Sequence, residues 1–265
     1  MDSYLHGFSA EEQNRLHEQA DILAPLVFNR VDFSTSTKLL EVGSGVGAQT
    51  LQLLKRFPQL HITCVDRSSK QLEEAKKVLV GFESRLSFLE QDGCKLAIEE
   101  RFDSAFVCWT LEHVSEPKEL LARLREHLVP GSKVYVTEVF NASFYVSPGY
   151  HGLEKYMTNL SAYQKMMGGH PDVGIELGDL LVETGFAKVE TVFDGFYFDK
   201  RKTESKKKYL PYWKELLKSA SHKLLNFGFC DSQLLIEVEN DFEKLAEDEN
   251  AIFFYQFVQA KATLY

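Results

Sequence analysis

The chain has 265 residues, is 44% hydrophobic, and sets 30 Lys and Arg against 39 Asp and Glu for a formal net charge of −9, with a pI near 5.5. That length suits one domain, or one domain with an inserted cap, and buries roughly three-quarters of the surface that the unfolded chain exposes. The acidic balance repels phosphate backbones at long range and argues against nucleic acid as the main partner.

The four cysteines, Cys64, Cys94, Cys108 and Cys230, show no C-x-x-C spacing and read as reduced thiols of a cytoplasmic protein. The chain has no basic–apolar–small leader pattern and no apolar run near eighteen residues, so neither secretion nor membrane insertion is expected. No His, Cys or Asp spacing commits to a metal.

Tyr4-Leu5-His6-Gly7 opens the chain and Ser9-x-x-Glu12 follows as a capping box, which predicts a helix from Ala10. Leu16, Ala20 and Leu23 give that helix one apolar face, and Pro25 is expected to break or kink it after Ala24. Residues 1–36 are the expected N-terminal helical lid. Tyr4 and His6 either fold over a bound ligand or belong to a frayed tail.

Leu39 to Gly47 carries the most chemistry. A short apolar strand, Leu39 to Val42, runs into Gly43, Gly45 and Gly47, and a helix-forming run follows from Ala48. Glycine lets the backbone turn sharply and lie against a ligand, and the helix behind it points free N–H groups there. A second apolar run, His61 to Val65, ends at Asp66 with Arg67 beside it. An acidic residue nineteen positions after Gly47 can accept hydrogen bonds from both hydroxyls of a ribose; it can also simply cap the helix at Ser68-Ser69. The pair reads as an adenosine-cofactor site in the first βαβ unit of a doubly wound sheet.

Gly43-x-Gly45-x-x-Ala48 by itself also suits a dinucleotide. Glu41, two residues before Gly43, tilts the choice: a carboxylate there can hold an ammonium group, and it would repel a pyrophosphate. Further strands are expected near 85–89, 104–108 and 133–139, and helices near 47–56, 68–80 and 116–128, with Pro58 and Gly131 as breakers. Such alternation argues a parallel sheet with right-handed crossovers.

In Glu41-x-Gly43-x-Gly45-x-Gly47, the acidic strand end at Asp66, Phe102-Asp103 leading to Leu111-Glu112-His113, and Leu128-x-Pro130-Gly131, the chain resembles the class I S-adenosylmethionine-dependent methyltransferases across about residues 37–140. The opening Tyr4-x-His6-Gly7 is similar to a small subgroup of that family. The resemblance implies a Rossmann-like α/β fold: a doubly wound seven-stranded sheet whose last strand is antiparallel and lies between strands five and six. An N-terminal helix and a helical cap insertion complete it. It implies S-adenosyl-L-methionine as cofactor, bound by Tyr4, Glu41, Gly43, Gly45, Gly47, Asp66, Arg67, Asp92, Gly93 and Cys108. Asp92 would meet the adenine amino group, or else serves a plain turn. Trp109 either borders the cofactor or packs on a neighbouring helix. His113 is the catalytic candidate, as a general base, against the alternative that it shapes its own loop.

Past Phe140 the rhythm changes. Residues 141–170 hold a loop rich in Tyr, Ser and Pro, then a helix over 153–167 with Tyr156, Leu160, Tyr163 and Met167 on one stripe. That stripe reads as cap core rather than substrate pocket. A helix over 175–184, a strand over 188–193, helices over 204–247 and a last strand from Ile252 to Ala260 complete the pattern. Lys200-Arg201-Lys202 and Lys206-Lys207-Lys208 read as a solvated loop.

The expected domains are thus the lid at 1–36, the cofactor-binding core at 37–140, and the rest of the sheet with a substrate cap at 141–265. The expected function is methyl transfer to N, O or C of a small molecule. Two other classes stay open on the same loop: an NAD(P)-dependent oxidoreductase and a non-catalytic S-adenosylmethionine-binding regulatory protein.

Overall fold

The computed structural model describes residues 10–265. Its sheet runs in the order β3-β2-β1-β4-β5-β7-β6. The strands are β1 (Lys38–Val42), β2 (His61–Asp66), β3 (Leu86–Glu90), β4 (Phe102–Cys108), β5 (Leu128–Ser147), β6 (Ala187–Phe198) and β7 (Ile252–Thr263). β1 to β5 pair in parallel, and β7 runs antiparallel to both β5 and β6. The helices are α1 (Ala10–Val27), α2 (Ala48–Arg56), α3 (Ser69–Val78), α4 (Pro117–Glu126), α5 (His151–Met166), α6 (Leu177–Glu183), α7 (Thr203–Asn226) and α8 (Ser232–Glu247). The architecture is the expected Rossmann-like one, with the antiparallel strand between β5 and β6.

A strand buried on both faces is rich in apolar residues, as β1 and β4 are over most of their length. Leu39 and Phe106 face one core, shared with α1, α2, α3, α5, α7 and α8. Leu40, Val42, Ala105 and Val107 face the other, shared with α4 and α6. Local signals fix the helix ends. Ser68 caps α3 by accepting from the Gln71 N–H at 3.4 Å, Asp231 caps α8 by accepting from the Leu234 N–H at 2.7 Å, and Pro117 opens α4 where its missing N–H is not needed. The strand order reverses between β1 and β4, and there the loops past the strand ends part to leave a crevice.

Three expectations are corrected. Pro25 does not end α1, which runs on to Val27. The proline sits in the last turn, where it removes a single helical bond, and Leu23, Ala24 and Val27 are each at most 5% exposed against the core. Residues 141–147 are not a loop but the second half of β5, which pairs Tyr145 with Phe254 and Ser147 with Ile252 beyond an irregularity after Phe140. The Ser143 hydroxyl mends that irregularity, donating to the Phe140 carbonyl at 2.6 Å and accepting from the Gln256 N–H at 2.8 Å. Lys206 to Lys208 lie in α7 rather than in a loop. Lys206 is only 1% exposed, and its ammonium donates to the Asp248 carbonyl, so its aliphatic stem packs as an apolar side chain would.

The cap is a cluster of α5, α7 and α8. Asp241 of α8 accepts from the first free N–H groups of α5, Gly152 at 2.8 Å and Leu153 at 3.2 Å. The Tyr156 hydroxyl donates to the Leu217 carbonyl at 2.6 Å. Tyr156 and Tyr163 are fully buried core, whereas Met167, on the same stripe, reaches a cavity wall.

Candidate active site

One cavity of about 940 Å³ occupies the crevice. Its first end is built from the loops that follow β1, β2, β3 and β4. Gly43 takes φ +78°, and a Cβ there would strike the Thr110 side chain at 2.1 Å, so only glycine fits beneath the post-β4 loop. Gly45 takes φ +53°, and a Cβ there would meet nothing within 4 Å. It is the one glycine of the three that leaves open room for a ligand to approach the backbone. Gly47 heads α2 and packs on Leu79 and Ala75 of α3. It lies behind the wall rather than on it.

Asp66 ties this end together. Its Oδ2 accepts from the Gly45 N–H at 2.8 Å and its Oδ1 from the Ser68 N–H at 2.9 Å. Burial pushes its pKa above the ordinary carboxylate range, and the N–H bonds from Ser68 and Gly45 offset part of that. A carboxylate has about four acceptor positions, so the backbone N–H groups leave acceptor capacity for a ligand's hydroxyl. Arg67, Asp92, Gly93 and Cys108 also line the wall. Asp92 accepts from the Cys94 N–H at 3.0 Å. Burial first, then repulsion from Glu138, holds the Cys108 thiol well above its usual range, which removes it as a nucleophile.

Glu41 sits behind the wall. Its side chain is 3% exposed, accepts from the Thr50 hydroxyl at 2.7 Å and is not among the wall residues. Burial pushes its pKa up to about 8. Its bond to Thr50 braces the strand end against α2. Tyr4 and His6 lie outside the described residues.

The second end is walled by α1, α5, α7 and β7, and no sequence motif marked it. Glu138, in β5, is fully buried against the loop that follows β4. Its Oε1 accepts from the Thr110 N–H at 2.8 Å and the Leu111 N–H at 2.7 Å, and its Oε2 from the Glu112 N–H at 3.2 Å. Burial and then repulsion from Glu112 raise its pKa to about 8. This side chain pins the loop that carries Glu112 and His113. A polar chain continues from there. Gln164 Nε2 donates to Glu112 Oε2 at 2.8 Å, Asn141 Nδ2 donates to Gln164 Oε1 at 3.1 Å, and the Tyr255 hydroxyl donates to Asn141 Oδ1 at 2.9 Å.

His113 lines the cavity with its Nε2 3.8 Å from Glu112 Oε1. Trp109, at φ +50°, also lines it; its ring meets Phe257 of β7 edge-on at 6.2 Å rather than a helix. The one signal that could have found Glu138 was an acid inside the apolar run Val134 to Val139, since a buried acid requires partners. Asn141, Gln164 and Tyr255 gave no signal.

Among the described residues there is no group of three or more His, Cys, Asp and Glu fit to hold a metal, and no helix long and apolar enough to cross a membrane.

Residues 39–131 match the methyltransferase domain family. The chain is 31% identical over 112 residues to malonyl-acyl-carrier-protein O-methyltransferase of Priestia megaterium, covering 42% of this chain and 40% of that protein. It is 28% identical over 159 residues to trans-aconitate 2-methyltransferase of Deinococcus radiodurans, covering 60% and 57%. In each case the chain spans less than two thirds of the relative's length.

Among solved structures, phosphoethanolamine N-methyltransferase 2 of Haemonchus contortus, in complex with phosphomonomethylethanolamine and S-adenosylhomocysteine, superposes with a TM-score of 0.58. The identity is 20%, and 92% of this chain and 52% of that one are covered. The cyclase SpnF superposes with a TM-score of 0.56 at 21% identity, covering 94% and 81%. At such identities these likenesses show the fold, and a cyclase among them shows that the fold alone does not set the reaction.

Proposed function

We propose that the protein is an S-adenosylmethionine-dependent methyltransferase acting on a small molecule. The observation that carries this reading is the open face of Gly45 beside the Asp66 and Asp92 carboxyls, on a segment that matches the methyltransferase domain family. Three buried polar atoms on the same wall have no partner: Ser44 Oγ, Gln49 Oε1 and Gln71 Oε1. Buried polar atoms are nearly always paired, so these three fit a ligand rich in hydrogen-bonding groups.

On this reading Asp66 holds the ribose hydroxyls, Asp92 the adenine edge, and the backbone of Gly43 and Gly45 the methionine portion, with Arg67, Gly93 and Cys108 shaping the wall. Glu41 and Gly47 support the loop from behind. When bound, the sulfonium of the cofactor supplies an activated methyl group. The chain's part is to align the acceptor and keep water away. The post-β4 loop pinned by Glu138 fixes one side of the acceptor, and the cap closes the other; alignment of this kind is worth about 7–11 kcal/mol. His113 and Glu112 are the two groups near enough to that loop to take a proton from an acceptor that carries one.

The domain division follows the same reading, with residues 1–36 as lid, 37–140 as cofactor core and 141–265 as sheet and cap. Tyr4 and His6 are proposed to reach the methionine end or the acceptor. The relatives act on phosphoethanolamine, trans-aconitate or malonyl-acyl-carrier protein by their names, so likeness does not single out an acceptor.

Isothermal titration of the full chain with S-adenosylhomocysteine, NAD and NADP tests the reading. Micromolar binding of S-adenosylhomocysteine alone supports it. Binding of NAD or NADP in its place overturns it in favour of an oxidoreductase. Binding of S-adenosylmethionine with no methyl transfer to any acceptor in a small-molecule extract would point to the regulatory alternative.

A further inference from the structure

The second end of the cavity has a chemistry of its own. Tyr212, Trp213, Tyr255 and Phe257 present rings to it, with the Trp213 and Tyr255 centroids 4.6 Å apart at 66°. Two polar features break this apolar wall. One is the Glu112 carboxylate, held from behind by Gln164. The other is Trp213 Nε1, a buried donor without a partner.

The positive charge at this end is already committed. Arg15, on the α1 wall, donates from Nε and Nη2 to the two oxygens of Glu12 at 2.7 and 2.6 Å, and from Nη1 to Gln19 at 2.7 Å. Any charge that His113 takes faces Glu112 at 3.8 Å. The other cations on the wall, Arg67, Lys95 and Arg123, belong to the loops after β2 and β3 and to α4, at the cofactor end. Among the described residues, the one Lys or Arg on this wall is already paired, so a carboxylate or phosphate brought here would face Glu112 across a ring-lined space, and burying an unpaired charge is strongly unfavourable.

We propose that this end takes an uncharged, ring-bearing apolar acceptor that carries no carboxylate or phosphate, and that Glu112 accepts the hydrogen bond from its hydroxyl or aromatic amine. The proposal rests on the methyltransferase reading, since it names the acceptor class of that same site. Glu112 is then a specificity-determining residue. It offers only acceptor atoms toward the cavity, so it draws an O–H or N–H group and rejects an anion. Trp213 Nε1 offers the complementary donor to an ether or carbonyl oxygen further along the ring system.

The test uses matched probes on the full chain saturated with S-adenosylhomocysteine: 2-naphthol, 2-naphthoate and 2-naphthyl phosphate, titrated by intrinsic fluorescence. The expected result is that 2-naphthol binds at least tenfold more tightly than either anion. In Glu112→Gln the preference for naphthol over naphthoate should shrink by about tenfold, while the affinity for S-adenosylhomocysteine stays within twofold. A role of Glu112 confined to holding the loop would not move that ratio. Equal or tighter binding of either anion overturns the proposal, and so does an unchanged ratio in the variant; should the variant fail to fold, the ratio in the wild-type chain decides. The S-adenosylhomocysteine titration is read separately. Its failure would sink the methyltransferase reading, whereas a preference for anions in a protein that binds S-adenosylhomocysteine would sink only the acceptor class.

Discussion

The two ends of the cavity are held in different ways. At the cofactor end the ligand-facing groups are backbone amides and short acids on consecutive loops, and one residue, Asp66, links two of those loops through the Gly45 and Ser68 N–H groups. At the acceptor end the wall is made of side chains from α1, α5, α7 and β7, aligned by a polar chain from Glu112 through Gln164 and Asn141 to Tyr255. A backbone-built end keeps its shape when one side chain is cut back, so substitutions there should change binding more than stability. A side-chain-built end has no such reserve, so substitutions there should change stability and acceptor choice together.

Each end also contains a buried carboxyl, and the largest predicted effect comes from these. Glu41 and Glu138 are both pushed to about 8 by burial, against an ordinary value of 4.5. A folded-state pKa raised above the unfolded one means that stability is fully present below about pH 4.5 and is lost as pH rises through about 8. Each carboxyl can cost up to about 1.4 kcal/mol per pH unit inside that window. Glu41→Gln keeps an acceptor for Thr50 and has no proton to lose. Urea denaturation at pH 5 and pH 8.5 should show the wild type losing several kcal/mol and the variant about half as much. An equal loss in both would mean that Glu41 is ionised in the folded protein.

Glu138→Ala tests the acceptor end. It strands the Thr110, Leu111 and Glu112 N–H groups in a buried place. An unsatisfied buried donor costs about 1–3 kcal/mol, and relief of the Glu138 burial penalty returns part of this, so a net loss of about 3 kcal/mol is expected by urea denaturation at pH 7. The affinity for S-adenosylhomocysteine should fall only a few-fold if the two ends are as separate as the geometry indicates. A hundredfold fall would erase the distinction between them.

Asp66→Ala is the counterpart at the cofactor end. Charge-assisted bonds worth about 1.5–3 kcal/mol are removed, so calorimetric titration should show affinity for S-adenosylhomocysteine reduced roughly 10- to 100-fold. The melting temperature of the ligand-free protein should move by little, since Gly45 and Ser68 lie at the cavity edge where water can replace the lost acceptor. Unchanged affinity in a folded variant would place the ribose elsewhere.

The same contrast governs how much could be read in advance. The glycine loop, Asp66 and the strand–helix alternation are local: residues within about thirty positions dictate them, and each leaves a pattern. The antiparallel last strand and the length of β5 are not local. Asn141 to Ser147 carry loop-forming residues, and only pairing with Ile252 to Phe254, more than a hundred positions away, makes them a strand. Lys206 shows the same failure. Its charged neighbours suggest a wet loop, and the Asp248 carbonyl that receives its ammonium leaves no trace in the sequence around it. Glu41 was legible as a special position but its bond to Thr50 was not, because Thr50 lies in the first turn of the next helix and the depth of burial is a tertiary property.

The smallest expected effect sharpens the comparison most, because it changes one atom at the far end of the polar chain. Tyr255→Phe removes the hydroxyl that donates to Asn141 Oδ1 at 2.9 Å. The ring stays, and with it the edge contact to Trp213, so the packing of the wall is preserved. One neutral hydrogen bond is worth about 1 kcal/mol, and stability should fall by no more than that. Freed of its donor, the Asn141 amide can turn, which loosens Gln164 and then the carboxylate of Glu112. The consequence to measure is therefore the ratio of 2-naphthol to 2-naphthoate affinity in the S-adenosylhomocysteine complex, which should drop two- to fivefold while S-adenosylhomocysteine itself binds as before. If Tyr255→Phe lowers stability by its 1 kcal/mol and leaves that ratio untouched, the chain from Tyr255 to Glu112 is a set of separate bonds, and the acceptor end is tuned by the post-β4 loop alone.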